Sequence, residues 1–317
     1  MPTEHTNLQG KKIWVSGHRG MVGSALVRRL GDENCEVLTA SRAELDVRDS
    51  GAVKKWMASH KPDIVLIASA KVGGILANDS LPADFIYDNI MIAANVIHAA
   101  YEVGVEKLLN LGSSCIYPRL APQPLTEASL LTGPLEPTNE WYAVAKIAAI
   151  KMCQAYRRQH GCNFISAMPT NLYGPGDNYD LLSSHVMPAL IRKMHTAKLN
   201  NTASVEVWGS GSPLREFMFV DDLADACIYL TKQYSGYDHI NVGSGQEISI
   251  GELALLIAEI VGYSGKIHFD ASKPDGTPRK LLDTSQLQAM GWKAKTPLRD
   301  GIATAIQCFE NEWAAKV

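Results

Sequence analysis

The stretch KKIWVSGHRGMVGSALVRRL, Lys11 to Leu30, limits the possible folds more than any other part of the chain. A short apolar run ends at Gly17, glycines return at Gly20 and Gly23, and Val22, Leu26 and Leu30 then recur every four residues. That pattern predicts a strand, a tight turn and an amphipathic helix. The spacing is G-x-x-G-x-x-G, not the G-x-G-x-x-G of many dehydrogenases, but it meets the same physical need. The turn must be sharp, the backbone must approach a pyrophosphate closely, and the helix N-terminus must offer N–H donors and a positive dipole. Gly17, His18, Arg19, Gly20, Met21, Val22 and Gly23 are therefore expected to hold a dinucleotide.

The apolar runs continue in alternation with helical segments. CEVLTASR (35–42), PDIVLIASA (62–70), the KLLNL run before Gly112 and NFISAMPTNLYGP (163–175) read as strands, the last breaking into a loop. Helices are expected at about 89–103 and 142–159. Continuous apolar strands separated by helices predict an α/β, Rossmann-type doubly wound parallel sheet. Beyond it, SVEVWGSG and EFMFV look like short strands and the alternation loosens, which predicts a smaller, discontinuous α/β substrate-binding lobe. The expected division is residues 1–172 for the dinucleotide-binding domain, with 222–245 returning to it, and 173–221 plus 246–317 for the lobe.

With 30 Lys+Arg against 33 Asp+Glu the formal net charge is -3, which argues against nucleic acid as a partner. Six cysteines, Cys35, Cys115, Cys153, Cys162, Cys227 and Cys308, form no C-x-x-C pair, so neither a metal site nor a disulfide framework is expected. MPTEHTNLQGKK lacks the apolar core of a signal peptide, and no 18-residue apolar run offers a membrane span. The expectation is a cytoplasmic protein with no membrane partner.

Where an NAD site usually places an acidic side chain, at the end of the second strand, this chain has Ser41 and Arg42, and Arg19 lies within the glycine turn. Two guanidiniums suit a 2′-phosphate, so NADPH/NADP is the expected cofactor. Tyr142 and Lys146 in YAVAK stand four apart and share a helical face. An ammonium beside a phenol is expected to lower the phenol's pKa and make it a usable proton donor or acceptor. A serine from GSSC, Ser113 or Ser114, is the expected third member.

The blocks GHRGMVGSA, SAKVGGI, PADFIYDN, LGSSCIYP, LEPTNEWYAVAKIA, MPTNLYGPGDN, SSHVMPALIRK, VWGSGSPLREF and DASKPDGTPRKLLD resemble the extended short-chain dehydrogenase/reductase family, whose members act mainly on nucleotide sugars. They extend from the first strand almost to the C-terminus. The resemblance implies C3/C5 epimerisation of GDP-4-keto-6-deoxy-mannose followed by NADPH-dependent reduction of C4. It implies Tyr142 as proton donor, Lys146 as its partner, Ser113 rather than Ser114 as the orienting hydroxyl, Cys115 as epimerisation base and His185 as the opposing acid. It adds Leu111, Gly112, Ser113, Ser114, Lys146, Pro169, Thr170, Asn171, Leu172 and His185 to the cofactor site, with Arg42. For substrate it implies Asn171, Lys193, Trp208, Arg215 and Lys280, with Asp275 and Arg279 as alternatives to Lys280. A homodimer is also implied.

Alternatives of the same class are a GDP-colitose or another GDP-hexose or GDP-heptose product. A plain 4-epimerase or 4,6-dehydratase fits less well, because the dehydratases carry an acidic pair where this chain has Ser114 and Cys115. A binding protein that senses NADP without catalysis would lack Tyr142 or Lys146, and both are present.

Overall fold

A computed structural model describes residues 5–314 apart from Leu182 and Pro274. The outer ends of the expected ranges, 1–4 and 315–317, lie outside the described residues. The first half of the chain runs β1 (Lys12–Ser16), α1 (Met21–Leu30), β2 (Glu36–Leu38), α2 (Ser50–His60), β3 (Ile64–Ile67), α3 (Ile75–Ser80), α4 (Pro82–Glu102), β4 (Lys107–Leu111), α5 (Glu140–His160) and β5 (Phe164–Pro169). The remainder runs β6 (Asn171–Tyr173), α6 (Val186–Leu199), β7 (Ser204–Trp208), β8 (Leu214–Phe219), α7 (Val220–Gln233), β9 (Ile240–Val242), β10 (Glu247–Ser249), α8 (Ile250–Val261), β11 (Lys266–Asp270), β12 (Arg279–Lys280), α9 (Ser285–Ala289) and α10 (Leu298–Ala314).

The main sheet has six parallel strands in the order β2-β1-β3-β4-β5-β9, which bears out the Rossmann-type reading. Its central strands are buried along their whole length, IVLI in β3 and KLLNL in β4, because helices cover both faces. α1 and α7 pack together on one face, with Leu26, Leu30, Leu223 and Cys227 in the core. α2, α4 and α5 cover the other, with Val53, Met57, Val96, Ala100 and Cys153. The strand order reverses between β1 and β3, and ligands of such sheets bind at the carboxyl ends of the strands beside that reversal.

A second core joins α6, α8 and α10, through Leu190, Ile191, Leu253, Ile257, Ile302 and Phe309, to the small sheets of the lobe. β8 pairs with β6, β10 and β12, and β7 pairs with β11. The segment expected as one strand breaking into a loop is instead two strands: β5 pairs in the main sheet, and after Thr170 β6 pairs with β8. The expected helix at 89 begins earlier, at Pro82, a residue whose missing N–H costs nothing at a first helical position. β2 keeps only three residues of the expected strand, since the edge of the sheet has one neighbour to pair with.

Glu216 of β8 is fully buried where the two sheets meet. Its carboxylate accepts from the backbone N–H of Gly245 at 2.7 Å and of Leu282 at 3.0 Å. Its own carbonyl accepts from Thr170 Oγ1 at 3.1 Å and Asn171 Nδ2 at 2.8 Å. One residue thus ties the exit of β5, the turn after β9 and the segment after β12.

Candidate active site

At the glycine turn, a Cβ on Gly17 would lie 2.6 Å from Ser69 N, and one on Gly23 would lie 2.0 Å from Gly17 O. Both positions therefore need glycine for close packing, and Gly17 also has φ +86°. α1 starts at Gly20 with no side-chain cap and no acidic residue in its first turn, so its N–H groups and positive dipole stay available to an anion. His18 Nδ1 is buried without a partner among the described residues. These residues fit a dinucleotide pyrophosphate. Arg19 and Arg42 are both exposed; Arg42 Nε lies 3.8 Å from Asp46. Glu44 accepts from Ser41 N at 2.7 Å and feels the charge of Arg19, which places both arginines at one mouth of the turn.

β4 delivers the chain into Gly112, where a Cβ would meet the Met168 side chain at 2.2 Å. Ser113 then caps a short 3-10 turn, Ser114–Ile116, by accepting from Cys115 N at 3.4 Å. Behind the turn the Tyr117 hydroxyl donates to Asn241 Oδ1 at 2.5 Å and pairs with His239 Nε2 at 2.9 Å. This buried network fixes the turn to β9, so Cys115 is held from both sides.

Lys146 Nζ donates to Leu111 O at 2.8 Å and lies 5.6 Å from the centre of the Tyr142 ring. Burial pushes Lys146 down to about 8. It also pushes the Tyr142 hydroxyl up, with Cys115 adding to the rise. The expected lowering of Tyr142 by Lys146 is therefore corrected: the ammonium is spent on the Leu111 carbonyl, and desolvation of the phenolate outweighs it. Burial likewise raises the Cys115 thiol, while Lys280, the Ser113 hydroxyl and Lys146 pull it down.

His185 stands at the N-cap of α6 in the lobe, and burial with the charge of Lys280 lowers its pKa. The residue keeps solvent contact although protein surrounds it. The charge of Lys280 bears on both Cys115 and His185. Among the alternatives, Arg279 is committed to Glu247 by two 2.8 Å bonds, and Asp275 accepts from Ser210 N at 2.7 Å and Ser210 Oγ at 2.8 Å. Lys280, half-buried and in register with Arg215, has no hydrogen bond or ion pair among the described residues. Further out, Lys193 and Lys273 lie 5.7 and 5.6 Å from the exposed Trp208 ring. Asn171 points its amide nitrogen at Glu216, not outward, and Pro169, Thr170 and Leu172 follow the same crossing between sheets.

Residues 13–243 match the NAD dependent epimerase/dehydratase family. The chain belongs to that family. It is 59% identical to a GDP-L-fucose synthase of Sinorhizobium fredii over 97% of this chain and 98% of the relative. Among solved structures, a GDP-6-OMe-4-keto-L-xylo-heptose reductase from C. jejuni superposes with a TM-score of 0.91 at 36% identity, covering 97% of this chain and 99% of that one. A GDP-L-fucose synthetase from Naegleria fowleri bound to NADP gives the same TM-score at 28% identity, covering 98% of each chain. The resemblance read from the sequence blocks is borne out.

Glu216 and the buried asparagines Asn78 and Asn89 escaped the sequence reading. Nothing in their local sequence distinguishes them, because each acts on backbone that only the fold brings near. Among the described residues no cluster of His, Cys, Asp and Glu could hold a metal, and no helix is long and apolar enough to cross a membrane.

The depressed pKa of Lys146 makes a stability prediction. Below about pH 8 the folded chain carries a buried ammonium at full cost; between 8 and 10.5 it sheds a proton that the unfolded chain keeps, so wild-type stability gains with pH. Relative to wild type, Lys146→Met should therefore lose on the order of 2 kcal/mol between pH 8 and 10.5 in urea unfolding. A difference that is flat or moves the other way would contradict the burial argument.

Proposed function

We propose that this chain converts GDP-4-keto-6-deoxy-D-mannose to GDP-L-fucose by inverting C3 and C5 and then reducing the C4 ketone with NADPH. The observation that carries the reading is one buried thiol, Cys115, on the turn that follows Leu111, whose carbonyl accepts from Lys146 beside the Tyr142 ring. It occurs on a chain 59% identical to a GDP-L-fucose synthase.

A ketone at C4 makes the hydrogens on C3 and C5 removable, because the electron pair left behind moves onto the C4 oxygen. Cys115, as thiolate, takes the proton; Lys280 and Lys146 supply the positive charge that favours that form. Ser113 and Tyr142 donate to the enolate oxygen. His185, as imidazolium, returns a proton to the opposite face, which completes an inversion and leaves a thiol and a neutral imidazole. NADPH, when bound in the glycine turn, supplies the hydride for C4. Tyr142 then gives its proton to O4, and Lys146 offsets the charge that remains.

Arg215 and Lys280 suit the diphosphate, since both are cations held in protein without a carboxylate bond. Trp208, with Lys193 over its ring, suits the guanine face. Asn171 would approach the sugar. Arg19 and Arg42 suit the 2′-phosphate, while Leu111 to Ser114 and Pro169 to Leu172 flank the nicotinamide. The six cysteines are free, which supports a reducing cytoplasm. α4 and α5 pack together and expose Tyr87, Tyr101, Trp141 and Val144, which supports a homodimer through this pair; sedimentation as a monomer at micromolar concentration would remove that part of the reading.

Two measurements test the chemistry. In deuterated water with GDP-4-keto-6-deoxy-mannose, deuterium should enter C3 and C5, and NADPH should be consumed with GDP-L-fucose as product. Cys115→Ser should slow the exchange by about a hundredfold or more while NADPH binding stays unchanged. Absent exchange in wild type, or reduction at C4 without inversion at C3 and C5, would reject the proposal. For the cofactor, Arg42→Asp should lower the preference for NADPH over NADH at least about tenfold, the loss of one charge-assisted phosphate contact; unchanged selectivity would take Arg42 out of the site.

A further inference from the structure

We infer that the loop Lys71–Gly74 is a strap that sets the position of His185, with Asn78 as its positioning residue; this rests on reading His185 as the proton donor. Inversion requires the donor on the face of the sugar away from Cys115. Cys115 follows β4 of the main sheet, whereas His185 precedes α6 in the lobe, so something must fix one against the other. The His185 ring has no hydrogen bond among the described residues, so the backbone on either side has to do it.

Two buried amides pin the strap. Asn89 brackets Lys71, accepting from its N–H at 3.0 Å and donating to its carbonyl at 3.0 Å. Asn78 Nδ2 donates to Gly73 O at 2.6 Å and Gly74 O at 3.0 Å. From that fixed loop Gly74 N donates to Ser183 O at 2.9 Å, two residues before His185. A Cβ on Gly74 would lie 2.5 Å from Ser184 O, so the close approach depends on glycine. At its other side the strap meets Phe85: a Cβ on Gly73 would lie 3.2 Å from Phe85 Cζ, and the Phe85 ring in turn stands edge-on to Tyr142 at 6.3 Å. The loop thus spans from Phe85 to the backbone that carries His185.

Asn78 Oδ1 is buried without a partner among the described residues. A buried orphan carbonyl is unfavourable, and an apolar residue there would avoid it. What the asparagine supplies in exchange is the nitrogen that holds both glycine carbonyls.

The test uses Asn78→Ala and Gly74→Ala in the full chain with NADP bound. Misplacing a proton donor by about an ångström costs on the order of a hundredfold, so C3/C5 deuterium exchange should fall by ten- to a hundredfold. Reduction of the already epimerised 4-keto sugar, which needs Tyr142 and not His185, should stay within about twofold. The His185 side-chain NMR signal should shift in both variants, a readout independent of turnover. If one variant does not fold, the other carries the test. Equal loss of exchange and reduction, or an unmoved His185 signal, overturns the strap. His185→Gln separates the two ideas: if it loses exchange while both strap variants keep it, the strap fails alone. If His185→Gln exchanges at the wild-type rate, the donor reading falls and the strap's purpose falls with it.

Discussion

One carboxylate buried without a cation, Glu216, fixes the geometry on which the cleft depends. Its two oxygens satisfy the N–H groups of Gly245 and Leu282, and its carbonyl receives Thr170 and Asn171. Those partners come from the turn after β9, the segment after β12 and the exit of β5. Burial raises its pKa while the backbone donors oppose that rise. The alternative for those N–H groups is no partner at all, and a buried unmade bond costs about 1–3 kcal/mol. A Cβ at Gly243 would lie 2.3 Å from Glu216 Oε1, so the main sheet approaches the carboxylate closely. Lys280, two residues before Leu282, and Arg215, next to Glu216 itself, inherit their positions from this knot.

That knot explains the charge pattern of the cleft. Arg279 turns to Glu247 and Asp275 turns to the Ser210 corner, each consuming its own charge or acceptors. Lys280 and Lys146 carry no carboxylate bond, and both have pKa values lowered by burial. A protein that leaves ammonium groups in a cleft without counterions is stabilised when an anion enters. Cys115 is the protein group on which both ammoniums act, so the thiol sits where negative charge is least costly.

The sequence revealed those parts of the site whose function is local. The glycines at 17, 20 and 23 serve a turn they belong to, and Tyr142 and Lys146 share a helix, so spacing alone placed them. Strand runs such as IVLI were readable because complete burial leaves a continuous apolar stretch. The choice among Asp275, Arg279 and Lys280 was unreadable, because it depends on Ser210 and Glu247, which pair with them only in the folded lobe. The rise of Tyr142 was unreadable for a related reason. Spacing brought Lys146 near, but the Leu111 carbonyl that accepts its hydrogen bond comes from β4. The break between β5 and β6 is hidden in one apolar stretch because both halves are equally suited to a sheet.

The two inversions impose a constraint that reduction does not. In the mechanism we propose, Cys115 holds a proton and His185 lacks one after the first, and the second inversion needs the reverse. The pair must therefore be reset while the sugar stays in place. Cys115 is nearly closed to solvent, whereas His185 keeps solvent contact on the cleft wall. The exposed residue can regain a proton from water directly, whereas the buried thiol has to lose its proton by a slower route. A cleft built for reduction alone could close fully around its hydride and exclude water. This one has to hold His185 firmly enough to choose a face and openly enough to be recharged. A short backbone strap meets both demands, because it fixes the chain on either side of the imidazole and leaves the ring uncovered.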